Sequence, residues 1–212
     1  MSNSEQPIIY QFKIFILNIS PMIWRRIKVR SDSTIADLHY IIQVAMGWTD
    51  IHLHRLIIHG KQFGIPKIGG MHFSDNPDEV RLSSFGLRIR ERFLYEYDFG
   101  DSWQHQIRVE KILTPKSNSF YPVCIDGKRA CPPENCGGPW GFMAQKQEYG
   151  VGYIAERFSE IIDEGSMDDN FEEIYELKRW LLVNHFDKKE INQRLQQYVN
   201  GDVERLFEQR IT

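Results

Sequence analysis

Three cysteines, Cys124, Cys131 and Cys136, lie within 13 positions of a segment rich in proline and glycine. Thiolates are good ligands for Zn²⁺, and proline and glycine allow a short loop to wrap around a metal ion. The spacings are C-x6-C and C-x4-C, without the C-x2-C pairs of common zinc sites. A zinc ion would take its fourth ligand from a distant imidazole, for which His54 and His105 are the candidates. The alternative is a proline-rich loop packed by unligated thiols.

Three histidines follow one another closely in the first half of the chain, at His52, His54 and His59. In a β-strand, alternate side chains point to the same face, so His52 and His54 would present two imidazoles side by side. Two such imidazoles can bind a metal ion or serve as a general acid and base. The alternative is a surface strand whose histidines hydrogen-bond to neighbouring groups.

A third group of titratable side chains surrounds a turn between two aromatic segments. Asp98, Asp101 and His105 lie within eight positions, with Trp103 between them. Two carboxylates and an imidazole can ligate a metal ion or transfer protons. Aspartates in turns also accept hydrogen bonds from backbone amides, and the sequence favours this second interpretation.

A basic segment near the N-terminus contains Arg25, Arg26, Lys28 and Arg30, next to Trp24. Strand alternation places three of these cations on one face, and a basic sheet with aromatic residues at its edge can bind nucleic acid. Residues 1–150 hold 18 Lys/Arg against 15 Asp/Glu, a net charge of +3, whereas residues 151–212 hold 8 against 14, a net charge of −6. The alternative is therefore a solvated basic face that pairs with the acidic C-terminal region. The overall charge does not favour nucleic acid as a partner.

Length and composition bound the class of protein. The chain has 212 residues, of which 42% are hydrophobic, so it can bury a sizeable core and is not wholly disordered. The net charge of −3 argues against a protein that coats DNA generally. There is no apolar run long enough to span a membrane, and no secretory signal pattern at the start. With three cysteines and no disulfide framework, we expect a cytoplasmic protein.

The N-terminal third has the periodicity of two strands, a helix and a third strand. Alternating apolar residues predict the strands, at Ile8–Leu17, Ile23–Arg30 and His52–Ile58. Between the second and third strands, helical spacing predicts a helix that is capped by Asp32 or Ser33 and stops at Gly47. The first two strands should form a hairpin, and the whole order is typical of the opening of a β-grasp-like layer.

The middle of the chain predicts a second hairpin, followed by irregular structure. Phe93–Phe99 and Trp103–Leu113 flank Gly100-Asp101 and should pair as antiparallel strands. Residues 80–87 predict a short helix or helical turn. Residues 114–141 carry five prolines and four glycines, and we expect a long loop without regular structure.

The C-terminal region, residues 151–212, is predicted to be helical and to pack on an α+β domain of residues 1–150. Ser166 and Asp168 are start signals for one helix, and Asp187 with Glu190 for the next. The apolar stripes of these helices must be buried. The residues expected to dock are Phe158, Ile162, Phe171, Ile174 and Leu181. The fold class is therefore α+β, with an antiparallel-rich sheet that opens strand-strand-helix-strand and a helical C-terminal extension.

Longer motifs resemble the plasmid pRiA4b ORF-3-like family over about residues 8–195. They are Pro21-x-x-Trp24-Arg25-Arg26, Leu38-His39 through Gly47-Trp48, His52-Leu53-His54, Tyr95 through His105, Tyr121 through Gly138, and Trp180, Phe186-Asp187 and Asn192-x-x-Leu195. The resemblance implies an α+β fold and a relationship to open reading frames found on plasmids and beside transposable elements. Some members carry a resolvase-like label, but this sequence lacks the serine-among-arginines pattern and helix-turn-helix end of such an enzyme. The resemblance does not imply a biochemical activity.

Three functions are compatible with these residues. The leading hypothesis is a non-catalytic binding or interaction protein of this mobile-element-associated family, with zinc as its candidate cofactor. The second is a metal-dependent hydrolase or nuclease, which would use His52, His54, Asp98, Asp101 and His105 and needs those side chains to converge in a cleft. The third is a nucleic-acid-binding accessory protein that uses the basic strand, which must then be exposed.

Overall fold

The computed structural model describes residues 6–67, 70–165, 169–202 and 206–207. These residues form seven strands, five α-helices and a short 3-10 turn at Leu82–Phe85. The strands are β1 Ile9–Ile16, β2 Trp24–Arg30, β3 His54–Ile58, β4 Lys61–Phe63, β5 Arg92–Tyr97, β6 Trp103–Leu113 and β7 Val123–Lys128. The helices are α1 Ile35–Met46, α2 Gly138–Glu148, α3 Val151–Asp163, α4 Phe171–Leu181 and α5 Lys188–Val199. The predicted α+β class, with its strand-strand-helix-strand opening and helical C-terminal part, is confirmed.

The strands form one sheet in the order β4-β3-β5-β6-β1-β2-β7, with every neighbouring pair antiparallel. Both predicted hairpins are confirmed, β1 with β2 and β5 with β6. Strand β3 pairs with β5, so two strands, β5 and β6, lie between β3 and β1. The free edge of β1 is taken by the long strand β6, which leaves β3 to extend the sheet on the far side of β5.

The two faces of the sheet differ in burial, and we name them by the residues of β2. The core face carries Arg25, Ile27 and Val29, which are all buried. The open face carries Trp24, Arg26 and Lys28, which are half-buried. Helix α1 covers the core face with its apolar side, so the sheet has the alternation of one packed and one solvated face.

The N-cap of helix α1 is Thr34, which lies one residue after Ser33 and two after Asp32, the two predicted caps. The Thr34 side chain accepts a 3.0 Å hydrogen bond from the Asp37 backbone amide, and the Asp37 carboxylate accepts one of 2.8 Å from the Thr34 amide. This reciprocal capping box replaces the expected Asp32 or Ser33 cap, because Thr34 is the residue three positions before a first-turn carboxylate. Gly47 ends the helix as predicted, with a positive φ of 87°.

The expected irregular segment 114–141 contains a strand and the start of a helix. Strand β7 pairs with β2, and α2 begins at Gly138. The prediction is wrong here because β7 is a short edge strand. A register shift opposite Arg26 and Ile27 interrupts its alternation, and Gly127 lies within it.

The C-terminal helices dock through some of the expected residues and through others that were not expected. Ile162, Phe171 and Leu181 are exposed, and Phe158 and Ile174 are partly buried. The buried positions are Ile154, Ile161, Leu177, Trp180 and Leu195. The expectation is confirmed for Phe158 and Ile174, which pack against the core, and it is wrong for Ile162, Phe171 and Leu181, which lie outside the buried face of their helices.

One of the predicted helix starts in the C-terminal region is confirmed. Asp187 caps α5, as predicted, by accepting hydrogen bonds from the amides of Lys189 and Glu190 at 2.8 and 2.9 Å. The predicted start signals Ser166 and Asp168 lie outside the described residues. None of the described helices is both long and apolar enough to cross a membrane.

Candidate functional site

A cavity of about 410 Å³ lies between the end of α1, the loop that follows β7, and helices α4 and α5. Its wall contains four arginines, Arg25, Arg129, Arg179 and Arg194. The wall also contains the acids Glu134, Asp187 and Glu190, together with Cys131, His185 and Phe186. Two of these carboxylates are already engaged: Asp187 caps α5, and Glu134 accepts hydrogen bonds from the body. The wall thus carries four guanidinium cations against three carboxylates, a net charge of about +1.

Arg25 is the most deeply buried of these arginines, with 2% of its surface exposed. Nε donates a 2.9 Å hydrogen bond to the Ala45 carbonyl in the last turn of α1. Nη1 donates to the carbonyls of Trp24 and Lys128 at 2.9 and 3.1 Å. Burial lowers the pKa of Arg25, and the nearby thiols of Cys131 and Cys124 act in the opposite direction. All three hydrogen-bond acceptors are neutral carbonyls, so they orient the charge without balancing it.

Arg129 stands at the rim of the same cavity, where the chain leaves β7. Its backbone has a positive φ of 68°, which turns the chain sharply after the strand. Nη1 donates a 3.0 Å hydrogen bond to the Met22 carbonyl. Its buried Nε has no hydrogen-bond partner among the described residues. Arg129 thus retains a buried donor that an additional acceptor can use.

The loop that forms the cavity wall is tied firmly to the body. Trp48 Nε1 donates a 3.0 Å hydrogen bond to the Pro132 carbonyl. The Glu134 carboxylate accepts hydrogen bonds from the Thr49 hydroxyl at 2.6 Å and the Tyr97 hydroxyl at 2.5 Å. Burial and the Glu134 carboxylate both raise the pKa of Tyr97, so its hydroxyl stays a donor. These contacts pre-form the wall, which lowers the conformational cost of binding a ligand.

The three cysteines have different surroundings. Cys124 is buried in β7 and donates a 3.5 Å hydrogen bond from Sγ to the Asp126 carbonyl, while Cys131 lies in the cavity wall. Cys136 precedes α2, within electrostatic range of Asp101 and Arg179. Burial raises the pKa of Cys124 to about 11 and that of Cys136 to about 12, so both thiols are protonated at neutral pH.

Among the described residues, one group of three potential ligands has donor atoms within 4.8 Å of one another, and it contains no cysteine. This group is His39, Asp50 and His54. His54 belonged to the expected zinc set, but the cysteines and His105 do not join it there. The predicted cysteine–histidine ligand set is therefore not assembled into one site in this part of the chain.

The His39–Asp50–His54 group is a hydrogen-bonded network whose acceptors are largely occupied. The His39 Nδ1 lies 3.0 Å from the Tyr95 hydroxyl, and Nε2 lies 3.0 Å from Asp50 Oδ1. Gln43 donates to the Tyr95 hydroxyl at 2.7 Å, so we assign the tautomer in which Tyr95 donates to Nδ1 and Nε2 donates to Asp50. A metal ion would have to displace these bonds.

Two further contacts argue against a cation between these ligands. The Lys67 ammonium lies 2.8 Å from Asp50 Oδ1 and already neutralises it. The rings of His39 and His54 stack 3.5 Å apart and nearly parallel, so their nitrogens do not converge on one point. Burial lowers the pKa of both histidines, and they are neutral at physiological pH. The group is better suited to fixing the segment from Asp50 to Lys67 against the sheet.

The remaining predicted residues lie outside the cavity wall, and they do not form one site together. His52 Nε2 lies 3.4 Å from Asp98 Oδ2, while Asp98 Oδ1 accepts from the amides of Gly100 and Asp101 at 3.1 and 3.3 Å. Asp98 therefore acts within the turn, as the second interpretation expected. His105 is fully buried on the core face, and its Nδ1 lies 3.0 Å from the Trp103 carbonyl. Of the predicted cysteine, histidine, aspartate and tryptophan site residues, Cys131 alone lines the cavity, and of the basic segment Arg25 does so.

The cavity arginines were not recognised as a group in the sequence, because they come from distant segments. The segments that resemble the family could have pointed to the cavity. Four of the segments that carry it supply wall residues: Arg25, Ala45 through Trp48, Arg129 through Glu134, and Phe186-Asp187. Their convergence links the most recognisable parts of the chain to one place in the fold.

Comparison with known proteins gives three findings. A family model described as "Plasmid pRiA4b ORF-3-like protein" matches residues 8–194. The chain is 32% identical over 139 residues to "Uncharacterized protein y4hQ" of Sinorhizobium fredii, covering 64% of this chain and 70% of that one. It is also similar to the crystal structure of "Protein of Unknown Function MM3350" from Methanosarcina mazei Go1, with 32% identity and a TM-score of 0.65. That match covers 88% of this chain and 98% of the other. The family is plasmid-associated, and these relatives carry no assigned activity.

Proposed function

The chain belongs to the plasmid pRiA4b ORF-3-like family, and from this premise we propose that it is a non-catalytic binding protein whose cavity takes a small anionic ligand. The ligand class is a phosphate-bearing or carboxylate-bearing molecule that fits a cavity of about 410 Å³. Arginine is the residue that best recognises such groups, because its planar fork can form two parallel hydrogen bonds.

The observation that carries this proposal is the burial of Arg25 with only backbone carbonyls as acceptors. An ionised group removed from water is costly unless a counter-charge and hydrogen bonds replace its hydration. The carbonyls supply hydrogen bonds but no negative charge. An anion in the adjoining cavity would supply the charge and lower this cost.

The guanidinium of Arg25 is also held rigidly. Its Cζ lies 4.9 Å from the centre of the Phe186 ring, which packs against it from the start of α5. A structural role accounts for part of this arrangement, since Arg25 closes the C-terminal end of α1, where cations are favoured. That role does not involve Arg129, a residue of the same cavity wall whose buried Nε has no hydrogen-bond partner among the described residues.

A metal-dependent enzyme is supported less well. Its proposed residues His52, His54, Asp98, Asp101 and His105 are absent from the cavity wall. The ligand group that does form contains the Lys67 ammonium in ion-pair contact with its only carboxylate.

The test uses pyrophosphate as a probe and Arg129→Gln as the variant, because replacing the buried Arg25 could unfold the protein. Pyrophosphate should raise the melting temperature of the wild type above that seen with sodium chloride of equal ionic strength. In Arg129→Gln, the pyrophosphate affinity measured by calorimetry should fall by about tenfold, the loss of one charge-assisted hydrogen bond. Lys116→Gln removes an exposed cation that is not part of the cavity wall and should bind as the wild type does.

The same experiment can reject the proposal. Equal pyrophosphate affinity in the wild type and Arg129→Gln would show that the cavity is not the binding site. A wild type that gains no more stability from pyrophosphate than from sodium chloride would show that it does not bind this class of anion.

A further inference from the structure

Four cations stand in one row across the open face of the sheet. Arg92 on β5 is directly opposite Arg108 on β6, Arg108 is opposite Lys13 on β1, and Lys13 is opposite Arg26 on β2. Residues directly opposite on antiparallel strands share a face, and neighbouring strands are about 4.8 Å apart, so the row spans roughly 14 Å. It crosses the four central strands without interruption.

Such a row is unfavourable for folding. Like charges directly opposite each other destabilise a sheet. Two acids face one end of the row: Glu110 accepts a hydrogen bond from Arg26 at 2.6 Å, and Asp126 accepts one at 2.9 Å. Arg92, Arg108 and Lys13 form no ion pair within the described ranges, and the buried Nε of Arg108 has no hydrogen-bond partner there. The Glu110 carboxylate also attracts the Lys13 ammonium, so the uncompensated positive charge of the row lies chiefly at Arg92 and Arg108.

No acid in the described part of residues 151–212 forms an ion pair with these cations. Helix α5 docks at the edge strand β7 and against α1, away from the open face. The acids that pair with the cations of β2 are Asp32, Glu110 and Asp126, all from the body. The expectation that the basic strand pairs with the acidic region is therefore not met by these ion pairs, and the open face keeps its positive row.

Aromatic side chains lie beside the row, two residues further along the same strands. Phe15 is directly opposite Trp24, and both are partly exposed on the open face. The Lys13 ammonium lies 4.9 Å from the centre of the Trp24 ring, and the Arg26 guanidinium lies 5.0 Å from it. The face thus combines a line of cations with an adjacent aromatic edge.

We propose that the open face binds single-stranded nucleic acid, with the phosphates along Arg92, Arg108, Lys13 and Arg26 and a base against Phe15 and Trp24. A polyphosphate backbone offers a line of negative charges that complements the row and relieves its repulsion. Aromatic side chains on a sheet stack with unpaired bases, which a duplex keeps inside its helix. This site is separate from the cavity and does not depend on the function proposed for it.

The test measures binding of a fluorescein-labelled oligothymidylate of about 15 nucleotides, a length that suits one domain. Fluorescence anisotropy is followed at several salt concentrations for the wild type and for the double variant Lys13→Gln, Arg108→Gln. We expect the variant to bind at least about tenfold more weakly at low salt, and its log–log salt slope to shrink by about 1.4, since each phosphate contact contributes about 0.7. Its melting temperature should be unchanged or higher, because the change removes like charges that face each other.

The matched control is the double variant Arg88→Gln, Lys116→Gln, which removes two exposed cations outside the row. It should bind oligothymidylate like the wild type, and so should Arg129→Gln, which tests the cavity alone. Equal losses in the row and control variants would overturn the assignment to the row. Tighter binding of a duplex of the same length, or binding to phosphatidylserine vesicles without binding to oligothymidylate, would overturn the choice of single-stranded nucleic acid.

Discussion

Histidine chemistry in this protein is governed by burial. His39, His54 and His105 lie on the core side of the sheet, and all three are buried. Burial lowers the pKa of each, because a charged imidazole loses its hydration there. Residue types that suggested acid–base or metal chemistry in the sequence are thus held neutral, and they serve as hydrogen-bonding and stacking groups.

This burial predicts a loss of stability in weak acid. The pKa of His105 falls from 6.5 to about 4 on folding, so between these values the unfolded chain holds a proton that the folded chain lacks. The stabilisation is fully present above pH 6.5 and is lost as the pH falls towards 4. For His105 alone, the loss is on the order of 3 kcal/mol.

Urea unfolding at a series of pH values measures this effect. His105→Gln carries no proton in this range, so its stability curve between pH 6.5 and 4 should be flatter than that of the wild type. His72→Gln, at an exposed position, is the control and should keep the wild-type slope. Parallel curves for the wild type and His105→Gln would contradict the prediction.

At the scale of elements, helix α5 closes the edge of the sheet. The Asn192 side chain accepts a 2.8 Å hydrogen bond from the Cys124 amide and donates one of 2.8 Å to the Cys124 carbonyl. One carboxamide thus satisfies both polar groups of a residue on the edge strand β7, as a further strand would. At its other end, α5 is fixed to α1 by a 2.6 Å hydrogen bond from the Tyr198 hydroxyl to Asp37.

Asn192→Ala should therefore destabilise the fold through the edge of the sheet. The Cys124 amide and carbonyl lose their partners, which costs about 1–3 kcal/mol and lowers the melting temperature by about 2–4 °C per kcal/mol in a chain of this size. Calorimetry measures the shift. Gln197→Ala, at an exposed position of the same helix, controls for helix propensity and should change the melting temperature little. Equal shifts in the two variants would show that the Asn192 bonds contribute no net stability.

Elements with a clear hydrophobic periodicity in their own segment were predictable from the sequence. Elements that are defined by distant tertiary partners were not. Alternation along β1 and β2 is set by one face packing on α1, so it is visible in the chain itself. Strand β7 is short, bulged and on an edge, and its pairing with β2 depends on a partner about a hundred residues away. For the site, Arg25 and Arg26 are adjacent residues of the same type, so the sequence does not show which is buried. In the fold, Arg25 is buried beside the cavity and Arg26 lies on the open face.

At the scale of the molecule, aromatic packing crosses the boundary that we expected after residue 150. Phe142 and Tyr149, before the boundary, both stack on Trp180 of α4, with ring centres 5.6 and 5.3 Å apart. Phe142 is buried by this contact. The cavity wall also draws residues from both sides of the boundary, such as Arg129 and Arg179.

Truncation after Gly150 should therefore cause aggregation. The cut exposes Phe142, Tyr149 and the edge of β7, and an unprotected strand edge next to apolar surface promotes association between chains. Size-exclusion chromatography and thermal unfolding of the truncated and full chains provide the measurement. A truncated chain that stays monomeric with an unchanged melting temperature would show that residues 1–150 fold as an independent domain.

The position of β1 inside the sheet means that one of its edges has no partner until much more of the chain has been synthesised. β1 is the first strand to be synthesised, yet its partner β6 follows it by about ninety residues. At the usual rate of translation, the second edge of β1 remains unpaired for roughly 5 to 20 s after the strand is made. During that interval one edge of the apolar strand Ile9–Ile16 lacks its partner, even when β2 has paired with the other edge. We therefore expect factors that shield nascent strands to affect the yield of the protein more than its final stability.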